Sequence, residues 1–359
     1  MTAPNQPRRA SRRLSLARAG AATAVALLLV ACGPQAAPAP APAAAPPAGS
    51  AAAPPAAMKL TAAYGSISAT QLPLWVTKEQ GYFTKYGLDV DLSYIDGSAG
   101  VRALASGDAP VSAVGGALVP SRLSGADVVA IAEMAPRLVY GVYVAPDITA
   151  VDGLRGRTIV TTTPGSTNYQ GVTLFLRRYG MEPGRDVNLL TSAGGTEQLA
   201  MLKQGLADAA LFSPPSSIRA REQGLHQLLN LAETNITFLT STIGVNQPFA
   251  AKNPEIIRAF LKAYAEGLRD TTADPVQAKA ALAKYASLDD PAAVDESYNF
   301  TAPTWPKGAP YPVVAAIQTI LDLQDSAEAR AAHAEDFVDA RYVRELDEAG
   351  FFRQIGLTE

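Results

Sequence analysis

The stretch Arg157-Thr158-Ile159-Val160-Thr161-Thr162-Thr163-Pro164-Gly165-Ser166-Thr167-Asn168-Tyr169 decides the fold. Ile159 and Val160 between threonines read as a buried-type strand. Pro164-Gly165 is a turn, and Ser166 is an N-cap signal. The helix it opens is expected to run to about Tyr179, with Val172, Leu174, Phe175 and Leu176 available for a core. The same strand, turn and helix unit occurs once before. Leu60-Thr61-Ala62-Ala63-Tyr64 reads as a strand ending in the turn Gly65-Ser66, and a helix follows from Leu72. The pattern therefore restarts partway along the chain.

Working outward, the first series continues with strands over 88–92, 110–114, 127–132 and 138–144, with helices near 101–105 and 118–123. The second continues with a strand over 186–190, a helix over 196–206 and a strand over 208–212, which Pro214-Pro215 stops. The stretches 227–231 and 238–245 read as extended. The remainder reads as helices over 254–268, 275–285, 291–298, 312–323 and 342–348, four of which begin at or near a proline. Strands alternating with helices imply mostly parallel sheets covered on both faces. Two such series imply an α/β protein of two lobes. Ligands on such folds sit outside the carboxyl ends of the strands, so the residues just after each strand are the candidates for function.

Composition excludes several classes. Residues 1–57 set apart, about 300 residues remain, large for one core and comfortable for two lobes. Removing the N-terminal arginines Arg8, Arg9, Arg12, Arg13 and Arg18 takes the formal charge from −3 to −8. An acidic chain argues against nucleic-acid binding. Cys32 is the only cysteine, so no disulfide, thiolate metal site or cysteine nucleophile is expected downstream. His226 and His333, the only histidines, are far apart and not spaced for a metal. No catalytic residue, metal or cofactor is expected, and no later apolar run is long enough to cross a membrane.

The N-terminus has its own logic. Five arginines without an acid precede the apolar run 21–31, which is too short to span a bilayer but fits a signal-peptide core. Leu29-Val30-Ala31-Cys32 resembles the lipobox of a bacterial lipoprotein. That resemblance implies a signal peptide over 1–31 and cleavage before a diacylated (palmitate-type) Cys32, with two chains giving a stable anchor. An ordinary signal peptide with an incidental cysteine is the alternative. Ser11-Arg12-Arg13-Leu14-Ser15-Leu16 faintly suggests twin-arginine export, with Ser15 where Phe is usual. Residues 33–57 are almost all Ala and Pro, an extended stalk or a tail without a task.

Several segments together resemble a known family. They are Tyr64-Gly65 through Leu74, Lys78-Glu79-Gln80-Gly81-Tyr82-Phe83 and Gly87-Leu88-Asp89-Val90, then Leu104-Ala105-Ser106-Gly107-Asp108, Leu154-Arg155-Gly156-Arg157-Thr158-Ile159, Gly205-Leu206-Ala207-Asp208 and Asn253-Pro254-Glu255-Ile256. In this order they resemble the nitrate/sulfonate/taurine-type substrate-binding proteins of ABC importers. The resemblance implies a two-lobed periplasmic-binding-protein clamp of type II, with two mixed, mostly parallel sheets. Lobe one is expected over 58–145 plus 246–359 and lobe two over 146–245, with crossings near 144–147 and 242–246. It further implies a monomer on the periplasmic side of a bacterial membrane that captures a small solute and presents it to permease subunits. A ligand-sensing lipoprotein would look the same. A thiamine-pyrimidine-synthase-like enzyme would need Cys-rich and His-bearing motifs that this chain lacks.

The candidate ligand residues follow the strands. Ser66, Ser68 and Gln71 follow the first strand and, with free backbone N–H groups, can hold a polar or anionic group or cap the helix. Ser98 follows the second in a Gly-flanked turn, with capping as its alternative. Gly115, Gly116 and Ala117 follow the third and let a ligand meet backbone, or simply make a tight turn. Gly165, Ser166, Thr167, Asn168 and Tyr169 are the strongest group: exposed N–H donors, hydroxyls and a helix dipole converge there. Tyr169 is expected to stack on a planar ligand. Phe212 and Ser213 follow a later strand, with core packing as the alternative for Phe212. None of these loops carries Lys or Arg; Arg102 and Arg137 lie near candidate mouths, with a solvated face as the alternative for either. Anionic and neutral aromatic solutes both stay open.

Overall fold

The computed structural model describes residues 57–358. The expected signal peptide, Cys32 and nearly all of the Ala/Pro stretch lie outside the described residues.

Among the described residues, ten strands form two five-stranded sheets. In chain order they are β1 (Met58–Tyr64), β2 (Leu88–Tyr94), β3 (Val111–Val114), β4 (Val128–Arg137), β5 (Gly141–Val144), β6 (Thr158–Thr161), β7 (Asn188–Thr191), β8 (Ala209–Phe212), β9 (His226–Asn230) and β10 (Thr237–Asn246). The first sheet is ordered β2-β1-β3-β10-β4 and the second β7-β6-β8-β5-β9. Each has parallel pairs at one end, β1 with β2 and β3, and β6 with β7 and β8. In each the fourth strand runs against both neighbours. The lobes thus share one plan: two α/β lobes, as the restarting pattern implies, each with a mixed sheet, as the family resemblance implies.

The lobe boundaries differ from those expected. β5 belongs to the second sheet and β10 to the first, so the chain changes sheets within 138–140 and again within 231–236. Hydrophobic pattern marks 138–144 as one extended run. The run is instead split, because Leu138 N–H donates to Ile236 O (3.0 Å) while Leu231 N–H donates to Tyr140 O (2.9 Å). The two crossings are hydrogen-bonded to each other.

The helix Pro254–Ala273 carries the first core. Ile257, Phe260, Leu261, Tyr264 and Leu268 are all buried at helical spacing. It packs against the helix Leu72–Glu79 so closely that a Cβ on Gly267 would stand 2.0 Å from Thr77 Oγ1. Lys85 Nζ pairs with buried Glu266 at 2.7 Å and fastens the segment Tyr82–Lys85 to the same helix. A second core draws on both lobes, with Val114, Leu118 and Ile320 meeting Val142, Ile159 and Phe175. In β4, Glu133 is buried among backbone donors: its carboxylate accepts from Met134 N–H (2.9 Å) and Ala135 N–H (3.1 Å). Loss of hydration pushes its pKa up to about 8.

Candidate solute site between the lobes

A cavity of about 350 Å³ lies where the carboxyl ends of the strands converge. β1 delivers Gly65, Ser66 and Ser68, and β2 delivers Tyr94 and Asp96. β3 delivers Gly115 and Ala117. From lobe two, β6 delivers Thr162, Ser166, Thr167 and Asn168, β7 delivers Gly194 and Thr196, and β8 delivers Phe212 and Ser213. Tyr140 comes from the first crossing. Strand ends supply the wall because side chains and free backbone groups there escape the ladders.

Of the residues expected from sequence, the structure brings Ser66, Ser68, Gln71, Gly115, Ala117, Ser166, Thr167, Asn168, Phe212 and Ser213 to this cavity. Gly116, Gly165 and Tyr169 are not on its wall. Gly165 sits at φ +82° in the turn before the helix, a left-handed position that needs glycine for its own sake. Tyr169 is already inside the helix Thr167–Arg178, its N–H donating to the Ser166 cap (3.2 Å). Gly116 faces Gln170, whose Nε2 donates to Gly116 O (3.2 Å) across the lobes. Ser98 opens the helix Gly97–Ser106, and its side chain lies outside what is described.

The lining side chains are not equally available. Asn168 Oδ1 accepts from Thr161 Oγ1 (3.0 Å) and Gln198 Nε2 (3.2 Å), while its Nδ2 donates to Leu211 O (3.1 Å). That amide ties β6, β8 and the helix Gly195–Lys203 together, and it shapes the wall. Ser166 Oγ caps its helix and pairs with Thr162 Oγ1 at 2.5 Å. Phe212 is both lining and core, with its ring 6.1 Å from Tyr143. Ser68 Oγ faces Ser213 Oγ across the lobes at 3.4 Å. Gln71, buried to 3% exposure, donates from Nε2 to Ser241 Oγ (3.0 Å) and Ser66 Oγ (3.2 Å), while its Oε1 has no partner.

Sequence reasoning missed Tyr94, Asp96, Tyr140, Thr196 and Arg219. Tyr94 ends an aromatic cluster, 5.6 Å from Tyr64, and is 42% exposed at the mouth. Burial, reinforced by Asp96 and a hydrogen bond to it, pushes the Tyr94 phenol up to about 12. Burial alone pushes Tyr140 up to about 12. Both therefore stay neutral hydroxyls at ordinary pH. Arg219 lies outside the strand-following loops, on the helix Ser216–Glu222, and lines the cavity from an exposed position. The signal lay beyond the strand end, in the helix that Pro214-Pro215 announces. Arg102 and Arg137 do not line the cavity; Arg137 bonds Asn235 at 3.1 Å.

Contacts between the lobes shut the cleft. Arg221 Nη2 reaches both carboxylate oxygens of Glu296 at 2.6 Å. Arg177 Nη2 reaches Asp325 at 3.0 Å. A cavity walled by the strand ends of two like-ordered sheets, and closed by contacts between them, defines the two-lobed fold of periplasmic solute-binding proteins. The NMT1/THI5-like family model matches residues 69–278, and the chain belongs to that family.

Solved structures agree on the fold. The periplasmic nitrate-binding protein NrtA of Synechocystis PCC 6803 superimposes with a TM-score of 0.69 at 18% identity, covering 82% of this chain and 89% of that one. The alkanesulfonate-binding protein SsuA of Xanthomonas axonopodis pv. citri, bound to MOPS, gives 0.65 at 17% identity over 79% and 99%. Among curated proteins, the riboflavin-binding protein RibY of Chloroflexus aurantiacus is 28% identical over 212 residues. That match spans 57% of this chain and 60% of RibY.

Proposed function

We propose that the chain is the extracytoplasmic solute-binding component of an ABC importer. It captures a small organic solute between its lobes and offers the closed surface to a permease, with no chemistry done on the solute. The observation that carries this reading is the cavity itself, built from strand ends of both lobes and held shut by Arg221 on Glu296 and Arg177 on Asp325. Hinge closure about two strand crossings is the natural motion of such a clamp. The fold neighbours named for nitrate and alkanesulfonate support anionic solutes, and the relative named for riboflavin supports an aromatic one. Anchoring through acylated Cys32 belongs to the same reading, supported by Leu29-Val30-Ala31 before it.

Native mass spectrometry of the domain, purified without refolding, tests capture. A bound small molecule is expected, and its loss on replacing Ser68 and Thr167 by Ala would map it to the cavity. An empty domain that binds no solute in a thermal-shift screen would overturn the reading. Binding without stimulation of any permease would leave a ligand sensor. Cys32→Ser is expected to move the protein from membrane to soluble fractions; retention on the membrane would remove the lipid anchor.

A further inference from the structure

Ser287 lines the cavity from an exposed position and holds an uncommon backbone. It ends the helix Pro275–Ala286 at φ +51° and ψ +54°, a left-handed position where a Cβ is crowded by its own backbone. Glycine is the usual residue at such a helix end, and the chain uses it at Gly107. Among the described residues only Asn235 shares the left-handed state without being glycine. Asn235 has its reasons: asparagine tolerates the conformation, and its Oδ1 accepts from Arg137 Nη1 (3.1 Å). Ser287 has neither. Its hydroxyl has no partner among the described residues.

The position is held firmly. The N–H groups of Ser287 and Leu288 both donate to Ala283 O. Tyr285, two residues earlier, stacks on Trp75 with ring centroids 5.1 Å apart, and its hydroxyl donates to Glu79 Oε1 (3.0 Å). Tyr285 also meets Tyr64, the ring beside Tyr94 at the mouth. Backbone strain that a rigid frame maintains at a cavity wall points to use by a ligand.

Place limits what Ser287 can meet. The carboxyl end of a helix carries partial negative charge, which repels an anion. A hydroxyl there suits an uncharged group, such as a hydroxyl or an amide. Arg219 and the N–H end of the helix Gly195–Lys203 belong to the other lobe and stay available to an anionic part of the same solute.

We infer, on the capture reading above, that Ser287 is a solute-contacting residue whose left-handed backbone sets its hydroxyl at the rim to hydrogen-bond an uncharged polar group of the solute.

Titration calorimetry and thermal melting of the purified protein test this. The probes are riboflavin, MOPS, nitrate and any solute that co-purifies, released and added back. Ser287→Gly relieves the backbone, so the melting temperature is expected to rise by about 1–2 °C. Affinity for riboflavin, MOPS or the co-purified solute is expected to fall about threefold to tenfold in the same variant. Ser287→Ala keeps the Cβ and is expected to lose the same affinity without the gain in melting temperature. Unchanged affinity in both variants would make Ser287 a helix stop alone, and loss in the glycine variant alone would assign the effect to backbone freedom. Either result would overturn the inference and leave capture standing, as would an unaltered protein that binds nitrate only. No binding of any probe by the unaltered protein, with nothing co-purified, would overturn capture as well.

Discussion

Two glycine pairs stand at or beside the cavity, one from each lobe, and they are not equivalent. A Cβ on Gly115 would lie 2.4 Å from Thr167 Oγ1 and 2.4 Å from the Thr240 carbonyl oxygen; one on Gly116 would lie 1.9 Å from Gln170 Oε1. Gly194 and Gly195 are looser, with Asp96 Oδ2 at 3.4 Å and Ser216 Oγ at 2.8 Å. None of the four sits in the left-handed region, so what the first pair requires is space. Thr167 and Gln170 belong to the opposite lobe. Gly115 and Gly116 are therefore small so that the lobes can meet, whereas the second pair leaves helix N–H groups open at the wall.

The comparison can be broken most directly at Gly115. Gly115→Ala meets a backbone carbonyl that cannot swing away, and overpacking of this kind costs about 1–3 kcal/mol. Solute affinity is expected to fall about tenfold or more by calorimetry, with a larger radius of gyration in solution scattering; an unchanged radius would place closure elsewhere. Gly116→Ala meets a side-chain end, that of Gln170, and not backbone, so a loss of about 1 kcal/mol is expected, recovered in Gly116→Ala with Gln170→Ala. Additive losses in that cycle would show that the two residues do not oppose each other.

Glu296→Gln removes the partner of Arg221. Both side chains are partly exposed, so the pair is worth about 0.2–1 kcal/mol, and the difference from wild type should shrink in high salt. Gly194→Ala is expected to shift affinity and stability by less than about 0.5 kcal/mol, since its nearest neighbour is at ordinary contact distance. A drop as large as that at Gly115 would erase the distinction between the pairs.

Glu133→Gln is the control away from both pairs. The native pKa of about 8 lies above the ordinary value near 4.3, so between these the folded state holds the extra proton. Wild-type stability should fall as pH rises through that window, and the variant's melting temperature should lose that part of the slope while solute affinity stays unchanged. A wild-type melting profile without this decline would refute the raised pKa.

Most of the fold is legible in the sequence because strand and helix periods are local. Ile159-Val160 and the Ser166 cap announce β6 and the helix after it without tertiary information. Sheet membership is not local. Nothing in Gly141-Val142-Tyr143-Val144 says that it pairs with Ala209–Phe212, so the crossing was expected a few residues late. The site divides similarly. Positions just after strands point to Ser66, Ser68, Thr167 and Ser213, whereas Arg219 reaches the rim from within a helix and Tyr140 from a crossing. Asn168 looks like a ligand donor in sequence; in the fold its oxygen accepts from Thr161 and Gln198 and its amide nitrogen gives one hydrogen to Leu211.

The insertion of β10 between β3 and β4 has a consequence for how the chain is made. Lobe two's strands form one uninterrupted stretch from Gly141 to Asn230, able to complete its sheet as it is synthesised. Sheet one must wait. The ladder between β4 and β10 joins residues about 100 positions apart, from Thr237 with Arg137 to Asn246 with Val128. Until it closes, β3 and β4 present bare edges, the kind that pair with other chains. The nascent protein is therefore most prone to aggregation while lobe two is already folded and the final strand of sheet one is still being added, and contacts of such long range form late.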